Sequence, residues 1–468
     1  MEWQSVFSEH DAQQAFSKIQ SMIQSAYEES FPLIKFKKRP ATCKNWLTDC
    51  LKKSIRNKNK LYMWYRKRPT VYNKNKYLMY KRALRKVLNA AEKNYYDLQF
   101  ERFGNDLKNS WKILKRLIGV QPKLTNNEFS IDGKRETDYD KIANAFNAYF
   151  VNIGQSLDCQ LPQVSEDEHR IYMKSSNSSS IYLAPATATE VTSILTQMKN
   201  SAPGWEGFKA EVLKLVNNEI ALPLTHVVNL SLTQGIVPYE LKVAKVTPVY
   251  KNGNKDEINN YRPISVLPAL SKVFERVMHS RVVSFLENNN ILNDCQFGYR
   301  NGRSTNMALT MLVDKITAAL DKKEYFMGIF IDLSKAFDTV NHSILLSKLK
   351  HYGIRGVALK WFGDYLDNRK QYVELKGIKS ERLSISCGVP QGSILGPLLF
   401  LLYINDLPNV SKCLSFIMYA DDTNVFMSSN CIRSLESIMN DEINKLVKWM
   451  RINRLSLNVK KNAWYAVL

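Results

Sequence analysis

Two adjacent aspartates, Asp421 and Asp422, stand between the apolar runs Phe416–Ala420 and Val425–Met427. Carboxylates this close repel one another and raise one pKa unless a cation lies between them. A lone acidic pair reads first as a solvated turn. A third acid changes that balance. Asp332 closes Tyr325–Leu333, a β-branched and aromatic run in which an unpaired buried charge would be costly. If that strand lies beside the aspartate pair, Asp332 and Asp421 converge and share two hard cations through oxygen ligands. The arrangement suits two-metal phosphoryl or nucleotidyl transfer, one ion activating the attacking oxygen and the other stabilising the leaving group.

The elements that must position these acids are legible nearby. Apolar run, short polar turn, apolar run predicts a buried β-hairpin over 416–427. Aspartate tolerates the positive φ of a tight turn, so the pair itself is expected to supply that conformation. Ile394–Ile404 is the longest apolar stretch and holds Gly396 and Pro397; it reads as a buried helix. Leu270–Glu287 and Ser434–Met450 carry apolar residues at helical spacing, and Asp140–Phe150 reads as a shorter helix. Ser130–Arg135 resembles a hairpin with a D-G turn.

Three motifs in order, F-I-D-L-S-K-A-F-D-T-V-N-H over Phe330–His342, G-V-P-Q-G-S-I-L-G-P-L-L-F over Gly388–Phe400 and Y-A-D-D over Tyr419–Asp422, resemble reverse transcriptases of non-LTR retrotransposons of the jockey type. The resemblance covers roughly residues 185–462. It implies an α+β fold, the fingers and palm of a right-hand polymerase, with an antiparallel palm sheet packed on helices. Asp332, Asp421 and Asp422, with the carbonyl of Leu333, would hold two Mg²⁺ ions, with Mn²⁺ as a substitute. Phe337 would lie beneath the sugar and select deoxynucleotides. By the same resemblance Lys251 and Arg262 face the triphosphate; no G-x-x-x-x-G-K-[ST] loop exists to cradle phosphates, so side-chain cations must do so. Arg300, in Q-F-G-Y-R-N-G-R-S-T, and Gln391, Gly392 and Ser393 match positions that contact nucleotide or template. Lys461 stands where the family has a general acid for pyrophosphate, although Asn462 replaces the usual threonine. Lys335 and Asp338 read as supporting or surface groups. Expected partners are an RNA template, a DNA primer or target and deoxynucleoside triphosphates, with self-association left open.

The composition agrees with such partners. The 468 residues carry a net charge of +22 and a pI of about 9.5, which points to a polyanion. No run is long enough to span a membrane, and the first residues lack a secretion signal. The seven scattered cysteines form no C-x-x-C pair or zinc pattern. The expectation is an intracellular protein of nucleus and cytoplasm, within a ribonucleoprotein.

Along the chain, residues 1–157 read as a basic, mostly helical region, 158–184 as a flexible linker containing S-S-N-S-S-S, and 185–468 as fingers and palm, truncated before the thumb and without an endonuclease. Basic residues crowd Leu51–Phe100, opposed only by Glu92 and Asp97, and are interleaved with Tyr62, Trp64, Tyr65, Tyr72, Tyr77, Tyr80, Tyr95 and Tyr96. Such mixing suits phosphate contact with base stacking, and equally a solvated helical face whose aromatics pack inward. Two further readings compete with an active polymerase. One is an inert nucleic-acid-binding relic of a truncated element. The other is an intron-type maturase, weakened because no maturase-like segment follows the palm.

Overall fold

Runs rich in β-branched and aromatic residues become strands in the computed structural model of the chain, which describes residues 3–32, 44–103, 106–118, 128–131, 133–162, 165, 167–174, 176–458 and 463–467. A small hairpin pairs β1 (Phe129–Ile131) with β2 (Lys134–Glu136). Then come β3 (Val243–Tyr250), β4 (Tyr261–Val266), β5 (Tyr325–Ile331), β6 (Lys370–Leu375), β7 (Ile378–Lys379) and β8 (Leu383–Ser384). The last three are β9 (Ser415–Tyr419), β10 (Asp422–Ser429) and β11 (Ala463–Val467). The two larger sheets run β11-β5-β10-β9 and β4-β3-β6-β7, with β8 also on β6. The first is antiparallel throughout. The second contains one parallel pair, β3 with β6.

The antiparallel sheet is covered on both faces, and its sequence alternates accordingly. Ile329, Ile331, Phe416, Met418 and Val425 enter the main core with helices Ser271–Asn288, Val357–Leu366, Leu395–Ile404 and Ile432–Ile452. Phe326, Ile417 and Phe426 face the other way, onto Ala308 and Ala319 of helix Thr305–Asp321. Leu395–Ile404 is buried all round, so it has no polar stripe to show. In the second sheet, Val246 and Val373 pack on Ile142, Phe146 and Phe150 of helix Tyr139–Asp158. The architecture is the mixed α+β one expected.

The compact units are Met1–Phe31 with Glu128–Leu468, and Pro32–Asn127. Helix Ala12–Ser30 is capped by Asp11 and buries Ala15, Phe16, Ile19 and Ile23, with Phe16 edge-on to Phe274 at 5.7 Å. Met1–Phe31 thus fall in the same unit as Glu128–Leu468. Composition alone does not describe 158–184. In its described part, His169 Nε2 meets Ser347 Oγ at 2.8 Å, and the Asn177 and Ile181 amides donate to the His351 and Gly353 carbonyls.

The second unit, taken by itself, contains helices Asp49–Lys67, Val71–Phe103 and Leu107–Leu117. Tyr77 meets Tyr62 at 5.2 Å and stacks on Tyr65 at 6.5 Å. Trp64 and Tyr72 stay exposed, with the Lys76 ammonium 5.8 Å from each ring. Some aromatics hold the helices together while others lie open beside cations.

Candidate active site

The register of β5 against β10 sets the acids. Thr423 pairs with Ile331, and Asp422 pairs with Tyr419 across the hairpin. Asp332 follows Ile331 and Asp422 precedes Thr423, so both acids leave adjacent strands at the same end of the sheet. Asp421 sits beside them in the two-residue turn. Residue types chosen for strand burial end where the acids begin, which brings the charges to the sheet's rim.

The turn corrects one expectation. Ala420, not an aspartate, takes the left-handed conformation, with φ of 57°. That conformation costs an alanine ~1 kcal/mol, and the surroundings hold it. Gln296, 2% exposed, accepts hydrogen bonds at Oε1 from the amides of Ala420 (3.0 Å) and Gly298 (2.8 Å). On either side, the Phe297 amide donates to Met418 and the Met418 amide to Cys295, both at 2.8 Å. A Cβ on Gly298 would lie 2.2 Å from the Ala420 nitrogen, so only glycine fits. Gln296 was not singled out from the sequence; its place in Q-F-G-Y-R, two residues before a glycine, was the available signal.

Asp332 is held from the far end of the domain. Its carbonyl accepts from the Asn458 amide at 2.9 Å, and its Oδ2 from Asn458 Nδ2 at 2.6 Å. Leu333, expected to lend its carbonyl to a cation, is buried and bridges Leu457. Asn458 is a second residue that sequence reading passed over. A hydrogen bond from a neutral amide orients a carboxylate without neutralising it. Among the described residues, no three acidic, histidine or cysteine side chains already form a metal-ligand group. The donor chemistry nevertheless fits a hard divalent cation, since carboxylate oxygens are its preferred ligands. Lys461 lies outside the described residues.

The groups expected around the nucleotide fall into two sets. Arg262 is exposed on β4, and Lys251 follows β3 directly and is also exposed. Lys335, read as peripheral, joins Arg262 here. Burial holds its ammonium below the usual range, and the nearby Arg262 adds to this. Phe337 stacks on Phe400 at 4.9 Å. Gln391 Nε2 lies 2.9 and 2.8 Å from the two carboxylate oxygens of Asp338. Burial pushes that carboxyl up to about 6. Gly392 has φ of 127°, and a Cβ there would meet the Ser265 carbonyl at 2.4 Å.

Two expected contacts are engaged within the fold. Ser393 is buried and its Oγ accepts from the Gly396 amide at 2.8 Å, capping the apolar helix. Arg300 donates to the Asn293 carbonyl at 3.0 Å and pairs with Glu287 at 3.4 Å. The structure thus brings Asp332, Leu333, Asp421 and Asp422 to one rim. It ties Gln391 to Asp338 and turns the Ser393 and Arg300 side chains to local partners.

Residues 249–466 match the family model described as reverse transcriptase (RNA-dependent DNA polymerase). The chain is similar to a probable RNA-directed DNA polymerase from transposon X-element of Drosophila melanogaster, 34% identical over 59% of this chain and 31% of that protein. It is similar to its counterpart from transposon BS of the same organism, 32% identical over 60% and 32%. It is also similar to the RNA-directed DNA polymerase from mobile element jockey of Drosophila melanogaster, 27% identical over 81% and 43%. The matches span less than half the length of these curated relatives.

Proposed function

We propose that the chain carries a reverse transcriptase domain over residues 249–466 and acts as the RNA-directed DNA polymerase of a non-LTR retrotransposon. The observation that carries this reading is the pairing of Thr423 with Ile331, which delivers Asp332 and Asp422 from adjacent strands to one rim. The reaction is attack of a primer 3′-hydroxyl on the α-phosphate of a deoxynucleoside triphosphate, forming the new phosphodiester and releasing pyrophosphate.

Asp332, Asp421 and Asp422, with the Leu333 carbonyl, are the residues that would hold two Mg²⁺ ions. Bound there, Mg²⁺ supplies Lewis-acid activation of the attacking oxygen and charge stabilisation on the leaving one. The chain's own side chains do the rest. Arg262, Lys251 and Lys335 receive the triphosphate charge, with Arg262 offering a two-pronged donor. Phe337, backed by Phe400, bounds the sugar and excludes a 2′-hydroxyl. Gln391 and Gly392 line the nucleotide and template side. Lys461 gives its proton to the departing pyrophosphate.

RNA template, DNA primer and deoxynucleotides are the proposed partners. The exposed Trp64 and Tyr72 beside Lys76 support contact of the basic helices with nucleic acid. No helix among the described residues is long and apolar enough to cross a membrane, and the proposed setting is a ribonucleoprotein of nucleus and cytoplasm. Neither the family match nor the placement of the acids favours the inert relic.

Primer extension on an RNA template with Mg²⁺ tests the reading. The parent chain extends and Asp421→Asn does not, with equal melting temperatures. Equal extension by both would sink it.

A further inference from the structure

Asp338 lies where three separate segments meet, and its environment exceeds what a supporting surface group needs. A Cβ on Gly154, in helix Tyr139–Asp158, would fall 2.6 Å from the Asp338 carbonyl oxygen, and one on Gly388 would fall 2.9 Å from it. The Gly388 amide donates to Val340 and the Val389 amide to Phe337, both at 2.8 Å. The Asp338 amide itself donates to Lys335 at 2.8 Å. Two glycines from distant parts of the chain are required to let this corner close.

The Gly388–Ser393 loop is fixed from its other side as well. The Ser265 amide of β4 donates to the Gln391 carbonyl at 2.8 Å, and Gly392 abuts the Ser265 carbonyl. With the backbone clamped on both sides, the torsions of the Gln391 side chain are what remains to be set. Asp338 sets them. Gln391 Nε2 is 2.9 and 2.8 Å from Asp338 Oδ1 and Oδ2. An ionised carboxylate only accepts hydrogen bonds, so the amide must present its nitrogen and turn Oε1 away.

We propose that Asp338 is a positioning residue for Gln391, fixing which end of that amide faces the incoming nucleotide; this rests on the polymerase reading above. Asp338 touches no substrate. Its effect passes through one side chain. Lys335 is the cation that acts on it, and burial rather than ion pairing dominates its surroundings. A carboxylate kept in such a setting is poorly explained by stability alone.

The test is a double-mutant cycle in primer extension by the full chain, with Asp338→Ala, Gln391→Ala and the pair. Asp338→Ala is expected to raise KM for the nucleotide about tenfold, with a smaller change in kcat. On the Gln391→Ala background it should add less than about twofold, since the path it acts through is gone. The same loss on both backgrounds would overturn the proposal. Asp338→Asn guards against misfolding: it keeps the shape, and a raised KM with an undiminished melting temperature supports positioning. A lowered melting temperature with unchanged KM would make Asp338 structural. If the parent chain makes no DNA, the polymerase reading fails by itself, and the pair is judged by melting. Losses that do not add then support the contact, and additive losses overturn it.

Discussion

Gln296 Oε1 holds the Ala420 amide at 3.0 Å, one residue before Asp421, and so fixes the turn that carries the proposed catalytic pair. The same oxygen accepts from Gly298, so one buried acceptor serves two backbone donors. Gln296→Leu leaves both unsatisfied, at about 1–3 kcal/mol, and frees the turn to shift. Extension should fall by about 10- to 100-fold, while Gln296→Glu, which keeps an acceptor, should retain more activity than Leu. Ala420→Gly should be neutral or stabilise by up to about 1 kcal/mol, because glycine is at ease at positive φ. Melting curves and extension rates on the three variants check both statements.

Asn458 grips Asp332 at Oδ2 and at the carbonyl. Removing an amide that orients a metal-binding carboxylate costs about 10- to 100-fold in metal affinity or activity. Asn458→Ala should therefore shift the Mg²⁺ dependence of extension to higher concentration, with partial recovery at saturating Mg²⁺. A curve that drops in height without moving would place Asn458 outside the proposed metal site.

The Asp338 carboxyl, raised from 3.8 to about 6 by burial, gives a pH-dependent stability of definite sign. The fold favours the protonated form, so the benefit is whole below pH ~4 and is lost as pH rises through ~6. A rise of this size corresponds to about 1–3 kcal/mol. Asp338→Asn should stabilise the chain by that order at pH 7.5, with the gain vanishing near pH 4. Denaturant melts at the two pH values measure it.

Basic helices Asp49–Lys67 and Val71–Phe103 should make nucleic-acid binding steeply salt-dependent, each phosphate contact adding about 0.7–0.9 to the slope of log K against log salt. Charge-removing substitutions suit the test better than truncation. Residues 12–30 belong to the other unit's core, and deleting from the first residue would strip it. Lys52→Gln, Lys53→Gln and Arg56→Gln together should flatten the slope of RNA binding. An unchanged slope moves the binding surface elsewhere.

The hairpin and the acid-bearing strand were legible because each is a run of buried residues broken by charge, and period-two alternation assigns both faces. The apolar helix Leu395–Ile404 was legible for a related reason, since nothing in it could face water. Long-range partners were not legible. Gln296 reaches Ala420 across 124 positions and Asn458 reaches Asp332 across 126, and a lone amide carries no periodicity. The left-handed turn fell to Ala420 because the Gln296 contacts outweigh local preference. Helix Thr305–Asp321 escaped notice because Met307, Leu309, Val313 and Leu320 remain exposed, which blurs its stripe. Asp338 looked peripheral because only packed glycines reveal how deep it lies.

The helix Ala12–Ser30 also sets a schedule for synthesis. Its partners include Phe274, and the Ala12 amide finds Gln234 only 222 positions later. At about 5–20 residues per second, Phe16, Ile19 and Ile23 emerge from the ribosome roughly 10–50 seconds before the surface that covers them. Over that interval the nascent chain displays a bare apolar stripe beside a strongly basic segment. Chaperone occupancy would shield it, and a slow-codon stretch between residues 32 and 230 would lengthen the exposure.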